Sequence, residues 1–251
     1  MKSAVVVGAG PGLGLSIGRK FGRSGMRVAL ISRKQEKLDS LVNILRSENI
    51  DAWGFAGDVS DEASIAAALH RAEAQCGPIE VLEYSPLPGM GRDQNLLSAL
   101  GTSVEMAERQ YRRLALGAIA TMRHVIPGML RRKRGAILIT TSGSGYFPIE
   151  ILTPIGMAMA ALRQYAYCLN QALSGTGVFA GTVCIAIVIR KGDERADPDT
   201  IAQTYLDLYE KRDRTEVILA PAGGADALKV HRDDLLARGI TPVFGTQARI
   251  L

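Results

Sequence analysis

The chain has 251 residues, 47% of them hydrophobic, which is enough to build the core of one large α/β domain or two small ones. Its formal net charge is +5, but the positive residues are dispersed and aromatics make up only 5%, too few to stack bases, so nucleic acid is not an expected partner. No run of about eighteen uncharged apolar residues occurs, and MKSAVVVGAG lacks the cleavable end of a signal peptide; the expectation is a cytoplasmic protein without a membrane partner. The densest positive knot, Arg131-Arg132-Lys133-Arg134, lies between an apolar helix and a strand and reads as a solvated turn. Cys76, Cys168 and Cys184 are far apart in apolar or helical contexts and read as buried, reduced thiols. His70, His124 and His231 have no neighbours at metal-ligand spacing, so no metal is expected.

In chain order, a β-rich run at 4–7 passes through glycines into a helical pattern at 15–24. A strand at 27–31 follows, then a helix at 35–48 with Leu38, Leu41 and Leu45 on one face. The alternation continues with a strand at 52–55, a helix at 62–75, a strand at 79–83, a long helix at 104–130 and a strand at 136–140. A helix then runs from TPIGMAMAAL (153–162) to about residue 173, followed by a strand at 178–189, a helix at 198–211 and a strand at 216–219. Near-continuously apolar strands separated by helices predict a single doubly wound parallel sheet covered on both faces, a three-layer α/β/α architecture. With no linker or repeat, residues 1–251 read as one domain. The breaker-rich segment 85–101 is predicted to be a loop at a strand's carboxyl end, where open α/β sheets bind ligands. The tail 221–251 has a helix-like piece at 226–238 but no further alternation.

Gly8, Gly10, Gly12, Leu13 and Gly14 fall between the first strand and the first helix. Glycines there permit a tight turn and close backbone approach to a pyrophosphate, and the helix N-terminus offers free N–H groups, so the motif predicts dinucleotide binding. The second strand ends in Ser32, Arg33 and Lys34. A cofactor without a 2′-phosphate is usually held there by a carboxylate, whereas cations and a hydroxyl suit a 2′-phosphate, which favours NADP(H) over NAD(H). A solvated turn is the plainer alternative for Arg33 and Lys34. Asp58 and Val59, after the third strand, suit the adenine amino group; helix capping is the competing role for Asp58, although Ser60 or Asp61 could do it.

These residues resemble the short-chain dehydrogenase/reductase family over roughly 2–219. Gly8, Gly12 and Gly14 have its G-x-x-x-G-x-G spacing, Asp58-Val59 matches its adenine motif, and Pro127-Gly128-Met129-Leu130 with Gly135 matches the end of its fourth helix. The resemblance implies a Rossmann-like fold, a small-molecule substrate, and homodimers or homotetramers formed through the long helix and the one after it, where Gly156, Ala158, Ala160 and Ala161 would allow close packing.

It also implies a catalytic serine, tyrosine, lysine and asparagine. The serine position holds Ser142, but the tyrosine position holds Ile155, the lysine position Met159 and the asparagine position Leu114. Tyr165 and Tyr167 have Leu169 and Gln171 four residues later, so neither restores the pair. The family's Asn-Asn-Ala-Gly is replaced by Tyr84-Ser85-Pro86-Leu87, which puts Tyr84 and Ser85 beside the expected nicotinamide, and its Pro-Gly after the sixth strand is replaced within Ile187-Val188-Ile189-Arg190. Ser142, Tyr146 and Glu150 are then the candidate catalytic polar groups, with loop anchoring as the alternative for Tyr146, solvation for Glu150 and cofactor packing for Tyr84. Three functions fit: an oxidoreductase with an atypical site, acting on an imine or another substrate that needs no tyrosine acid; a non-redox cyclase, isomerase or lyase; or a non-catalytic NADP(H)-binding protein.

Overall fold

Seven strands lie parallel in the order β3-β2-β1-β4-β5-β6-β7 in the computed structural model, which describes residues 2–86 and 97–220. Most of the 85–101 segment, the whole 221–251 tail and His231 lie outside the described residues. The strands are β1 (Ser3–Val7), β2 (Arg27–Ser32), β3 (Ala52–Ala56), β4 (Ile79–Tyr84), β5 (Gly135–Ser142), β6 (Val178–Ile185) and β7 (Glu216–Leu219). The helices are α1 (Leu13–Arg23), α2 (Gln35–Ser47), α3 (Glu62–Cys76), α4 (Val104–Tyr111), α5 (Gly117–Arg132), α6 (Thr153–Ala172) and α7 (Pro198–Lys211). Among the described residues, no helix is long and apolar enough to cross a membrane.

Strand side chains alternate between two cores, as the period of two requires. Val5, Val7, Leu82 and Ile137 face Ile65 of α3, Met122 of α5 and Leu162 of α6; Ala4, Val6, Val81 and Leu138 share the other core with Ile17 of α1, Leu38 of α2 and Tyr205 of α7. This is the doubly wound three-layer sheet. Strand order reverses at β1, which pairs with both β2 and β4, so a crevice opens at the carboxyl ends there.

The predicted strand at 178–189 stops at Ile185, because its neighbours stop too: Ser142 ends β5 opposite Ile185, and Leu219 ends β7 there. Ile187 and Ile189 owe their apolar character to packing on the α1/α7 core. The helix predicted at 104–130 is α4 and α5 joined by one π-helical turn, Arg112–Leu116. The basic knot is a turn in which Arg131, Lys133 and Arg134 are exposed, and two of its arginines also clasp the sheet. Arg132 donates to the Ile79 carbonyl at 2.7 Å, and Arg134 meets the buried Glu80 carboxylate at 2.8 Å. Cys76 and Cys184 are buried, with burial pushing both thiols up to about 11, but Cys168 lies exposed on the outer face of α6. Gly156 and Ala158 are used internally: a Cβ on Gly156 would meet the Ser144 carbonyl at 2.8 Å, and Ala158 is in the core.

Glu83 of β4 is fully buried on the α7 side of the sheet. Its carboxyl group accepts hydrogen bonds from Thr140 Oγ1 (2.7 Å) and Ser85 Oγ (3.0 Å), and Thr140 is in turn bonded to the buried Tyr205 hydroxyl. Burial pushes its pKa up from 4.5 to about 8, against the opposing pull of the two hydroxyls. The folded chain therefore holds this proton more tightly than the unfolded chain. The resulting stabilisation is complete below the ordinary value of 4.5 and is lost as pH rises through about 8. Thermal melts between those limits should show stability falling by at most about 1.4 kcal/mol per pH unit from this group. Glu83→Gln should flatten that dependence; an unchanged slope would contradict the assignment.

Candidate nucleotide-binding site

The crevice holds a cavity of about 630 Å³ at the carboxyl ends of β1, β2 and β3. Its floor is the loop from Gly8 to Pro11. Gly8 has φ +93°, and a Cβ there would lie 2.6 Å from backbone atoms of Ser85 and Pro86, so glycine is needed for both conformation and contact. Around Gly10 a Cβ would meet nothing within 4 Å, which leaves that backbone open to the cavity. Gly12, Leu13 and Gly14 do not line it. They form the start of α1, with Gly14 pressed on Ala9 so closely that a Cβ would lie 2.9 Å from its Cα. The first turn of α1 has no acidic residue and no side-chain cap, so its positive end is not neutralised locally.

One wall is cationic. Ser32, Arg33 and Lys34 follow from β2 into α2, and Lys37 joins them one turn later. Among the described residues none of these three cations is in an ion pair. Asp58 and Val59 form the back. The cap of α3 is Asp61, whose carboxylate accepts from Ala63 and Ser64 N–H, so Asp58 is free of that duty; its Oδ1 accepts from Ser60 N–H at 2.8 Å. The far wall is Pro86 and Arg113. Open glycine backbone, a helix N-terminus and four cations form a receptor for a polyanion.

Tyr84 and Ser85 are not in the cavity wall. The Tyr84 ring is fully buried and its hydroxyl donates to the Arg113 carbonyl at 2.7 Å; Ser85 Oγ is turned into the sheet toward Glu83. Alternation along β4 explains both, since Tyr84 faces the α5 core and Ser85 shares a face with Glu83. Sequence reasoning missed Lys37 and Arg113. Lys37 is one turn past Lys34 and could have been found by helical spacing, whereas Arg113 reaches the cavity from the π-turn, which leaves no mark in hydrophobic periodicity.

The expected chemical end is apolar. Ile155 and Met159 on α6 are 6% and 1% exposed and belong to the core with Leu152 and Leu162, and Leu114 is 1% exposed in the same core. Ser142 ends β5 with its hydroxyl 2.6 Å from that of Ser144. Tyr146 lies over the Arg163 guanidinium at 4.6 Å, and Arg163 is held by two bonds to Glu216, so the ring is anchored to α6. Glu150 is exposed. Tyr165 packs on the core and Tyr167 donates to Glu216 at 2.9 Å. The cavity reaches none of Ser142, Tyr146, Glu150, Ile155 or Met159.

The sequence profile of the short chain dehydrogenases matches residues 2–198. The chain belongs to the short-chain dehydrogenase/reductase family. A short chain dehydrogenase of Pseudocercospora fijiensis is 28% identical over 180 residues, 71% of this chain; the match covers only 57% of that protein's length. The very-long-chain 3-oxoacyl-CoA reductase of Homo sapiens is 25% identical over 87% of this chain and 72% of its own. Among solved structures, a metagenomic short-chain oxidoreductase in complex with NADP superposes with a TM-score of 0.76 at 24% identity, covering 88% of this chain and 97% of its own.

Burial of position 159, where the resemblance puts the family's lysine, makes a lysine there costly. Met159→Lys puts an ammonium among Ile155, Leu152 and Leu162, and denaturant unfolding should show a loss of about 3–5 kcal/mol. Met159→Leu should cost less than about 1.5 kcal/mol. Equal stability of the two variants would show that position 159 is not core.

Proposed function

We propose that the chain is an NADP(H)-dependent oxidoreductase with an atypical site, acting on a substrate that needs no tyrosine acid. The observation that carries this reading is the contrast within one crevice: a cationic, glycine-floored cavity at the phosphate end, and Ile155 and Met159 packed into the core where the family's proton donor and its lysine belong. The residues fit the cofactor. The open backbone at Gly10 and the start of α1 would receive the pyrophosphate, Ser32, Arg33 and Lys34 the 2′-phosphate, and Asp58 the adenine amino group. The NADP held by the metagenomic oxidoreductase supports the same choice.

When bound, the cofactor supplies hydride. Reduction of a ketone also needs a proton for the nascent alkoxide, and loss of a positioned acid typically costs ~10²- to 10⁴-fold. An iminium carbon takes up hydride to give a neutral amine, with no proton required. Apolar side chains at 155 and 159 carry no penalty for that reaction. The Ser142–Ser144 pair supplies an O–H donor for orienting a substrate, without an adjacent base.

The burial of Ile155 and Met159 in the core also favours a second reading, an NADP(H)-binding protein without turnover. The two separate in one assay: NADPH is mixed with a panel of cyclic iminium ions, enones and ketones, and the absorbance of the reduced nicotinamide is followed. Consumption with iminium ions, at least about 100-fold faster than with ketones, is the expected result. Binding without consumption across the panel would favour the second reading, and absence of NADPH binding would sink both.

A further inference from the structure

Arg113 is a partly buried guanidinium on the cavity wall, and among the described residues it makes no ion pair. Burial acts first against its charge, then the like charge of Arg33; Asp58 acts in its favour, and Arg109 against it. Two arginines that bear on each other across one cavity are an unfavourable pair by themselves, and a dianion shared between them turns mutual repulsion into joint attraction.

The backbone that carries Arg113 is pinned. It sits in the π-turn between α4 and α5, and its carbonyl accepts the Tyr84 hydroxyl. Tyr84 is fully buried in β4, so that bond ties the turn to the centre of the sheet. Space for it exists because residue 117 is glycine: a Cβ there would lie 2.8 Å from the Tyr84 hydroxyl and 2.7 Å from the Val59 carbonyl. Val59 is itself part of the cavity's back wall, so Val59, Gly117, Tyr84 and Arg113 form one packed unit.

We propose that Arg113 and Arg33 together clamp the 2′-phosphate of the cofactor, and that Tyr84 is the positioning residue that holds Arg113 in place. The clamp rests on the NADP(H) reading and extends it to a residue outside the glycine loop and the end of β2. A guanidinium fork offers paired N–H donors to phosphate oxygens, and a partly desolvated one gives the stronger hydrogen bonds. Selection of NADP(H) over NAD(H) is then a property of two walls. Neither arginine alone should set the full preference.

Titration calorimetry of the full chain with NADP⁺ and with NAD⁺ tests this. Arg113→Ala should weaken NADP⁺ roughly 10- to 100-fold, as expected for lost hydrogen bonds to a charged group, and NAD⁺ by less than about threefold. Arg33→Ala should act in the same direction, and the double variant should lose less than the product of the two single losses. Tyr84→Phe should lower the NADP⁺-to-NAD⁺ affinity ratio, which a purely structural role would leave unmoved; if that variant does not fold, Arg113→Ala decides. Equal weakening of both nucleotides would assign Arg113 to the diphosphate and overturn the proposal, as would no weakening of either. Failure of the unaltered chain to bind either nucleotide would overturn the NADP(H) reading itself, a result distinct from normal binding that ignores Arg113.

Discussion

Gly8 lies so close to the end of β4 that a single Cβ would strike backbone atoms of Ser85 and Pro86 at 2.6 Å. That contact occurs at the point where strand order reverses, and it joins the glycine loop to the opposite side of the crevice. Because the loop is held there, Gly10 keeps an open backbone and α1 begins with its N-terminus directed from the same loop. From the other side, β4 continues back from Pro86 through Ser85 to Tyr84, whose hydroxyl holds the π-turn that carries Arg113. The floor and the far wall of the cavity thus depend on one backbone-to-backbone approach that only glycine permits.

The two ends of the crevice follow opposite physical rules. At the nucleotide end, cations without an ion pair among the described residues and open backbone leave electrostatic work to be done by a ligand. At the other end, Ile155, Met159 and Leu114 are packed in the core, and the Ser142 and Ser144 hydroxyls share one hydrogen bond, which leaves one O–H of the pair still to donate. Binding free energy should therefore come mainly from the phosphorylated adenosine half. Among the described residues, Tyr146 is held over the Arg163 guanidinium and Glu150 is exposed.

Much of this was legible in the sequence. Among the described residues, the alternation of apolar runs and helical patterns located the seven strands and the α-helices between them, with α4 and α5 read as one, because a parallel sheet buried on both faces leaves that trace. The resemblance to the family, carried through Ser142, puts Ile155 and Met159 at the positions of its tyrosine and lysine. What could not be read depends on contacts between distant segments. Tyr84 looked like a cofactor contact, yet the pleat turns it into the core, where its hydroxyl acts through Arg113. The burial of Glu83 is tolerable because Thr140 and Ser85, from separate stretches of chain, donate hydrogen bonds to its carboxyl group. Arg113 lies on the cavity wall only because the π-turn carries it there.

The claim that the nucleotide is held by its phosphorylated adenosine half is tested most directly by comparing the affinities of NADP⁺ and adenosine 2′,5′-bisphosphate for the unaltered chain. Dissociation constants within about tenfold of each other are expected, because removing the nicotinamide half gives up few strong contacts. A fragment bound more than about 100-fold more weakly than NADP⁺ would contradict it, by placing a large share of the binding free energy at the end where Ile155 and Met159 stand.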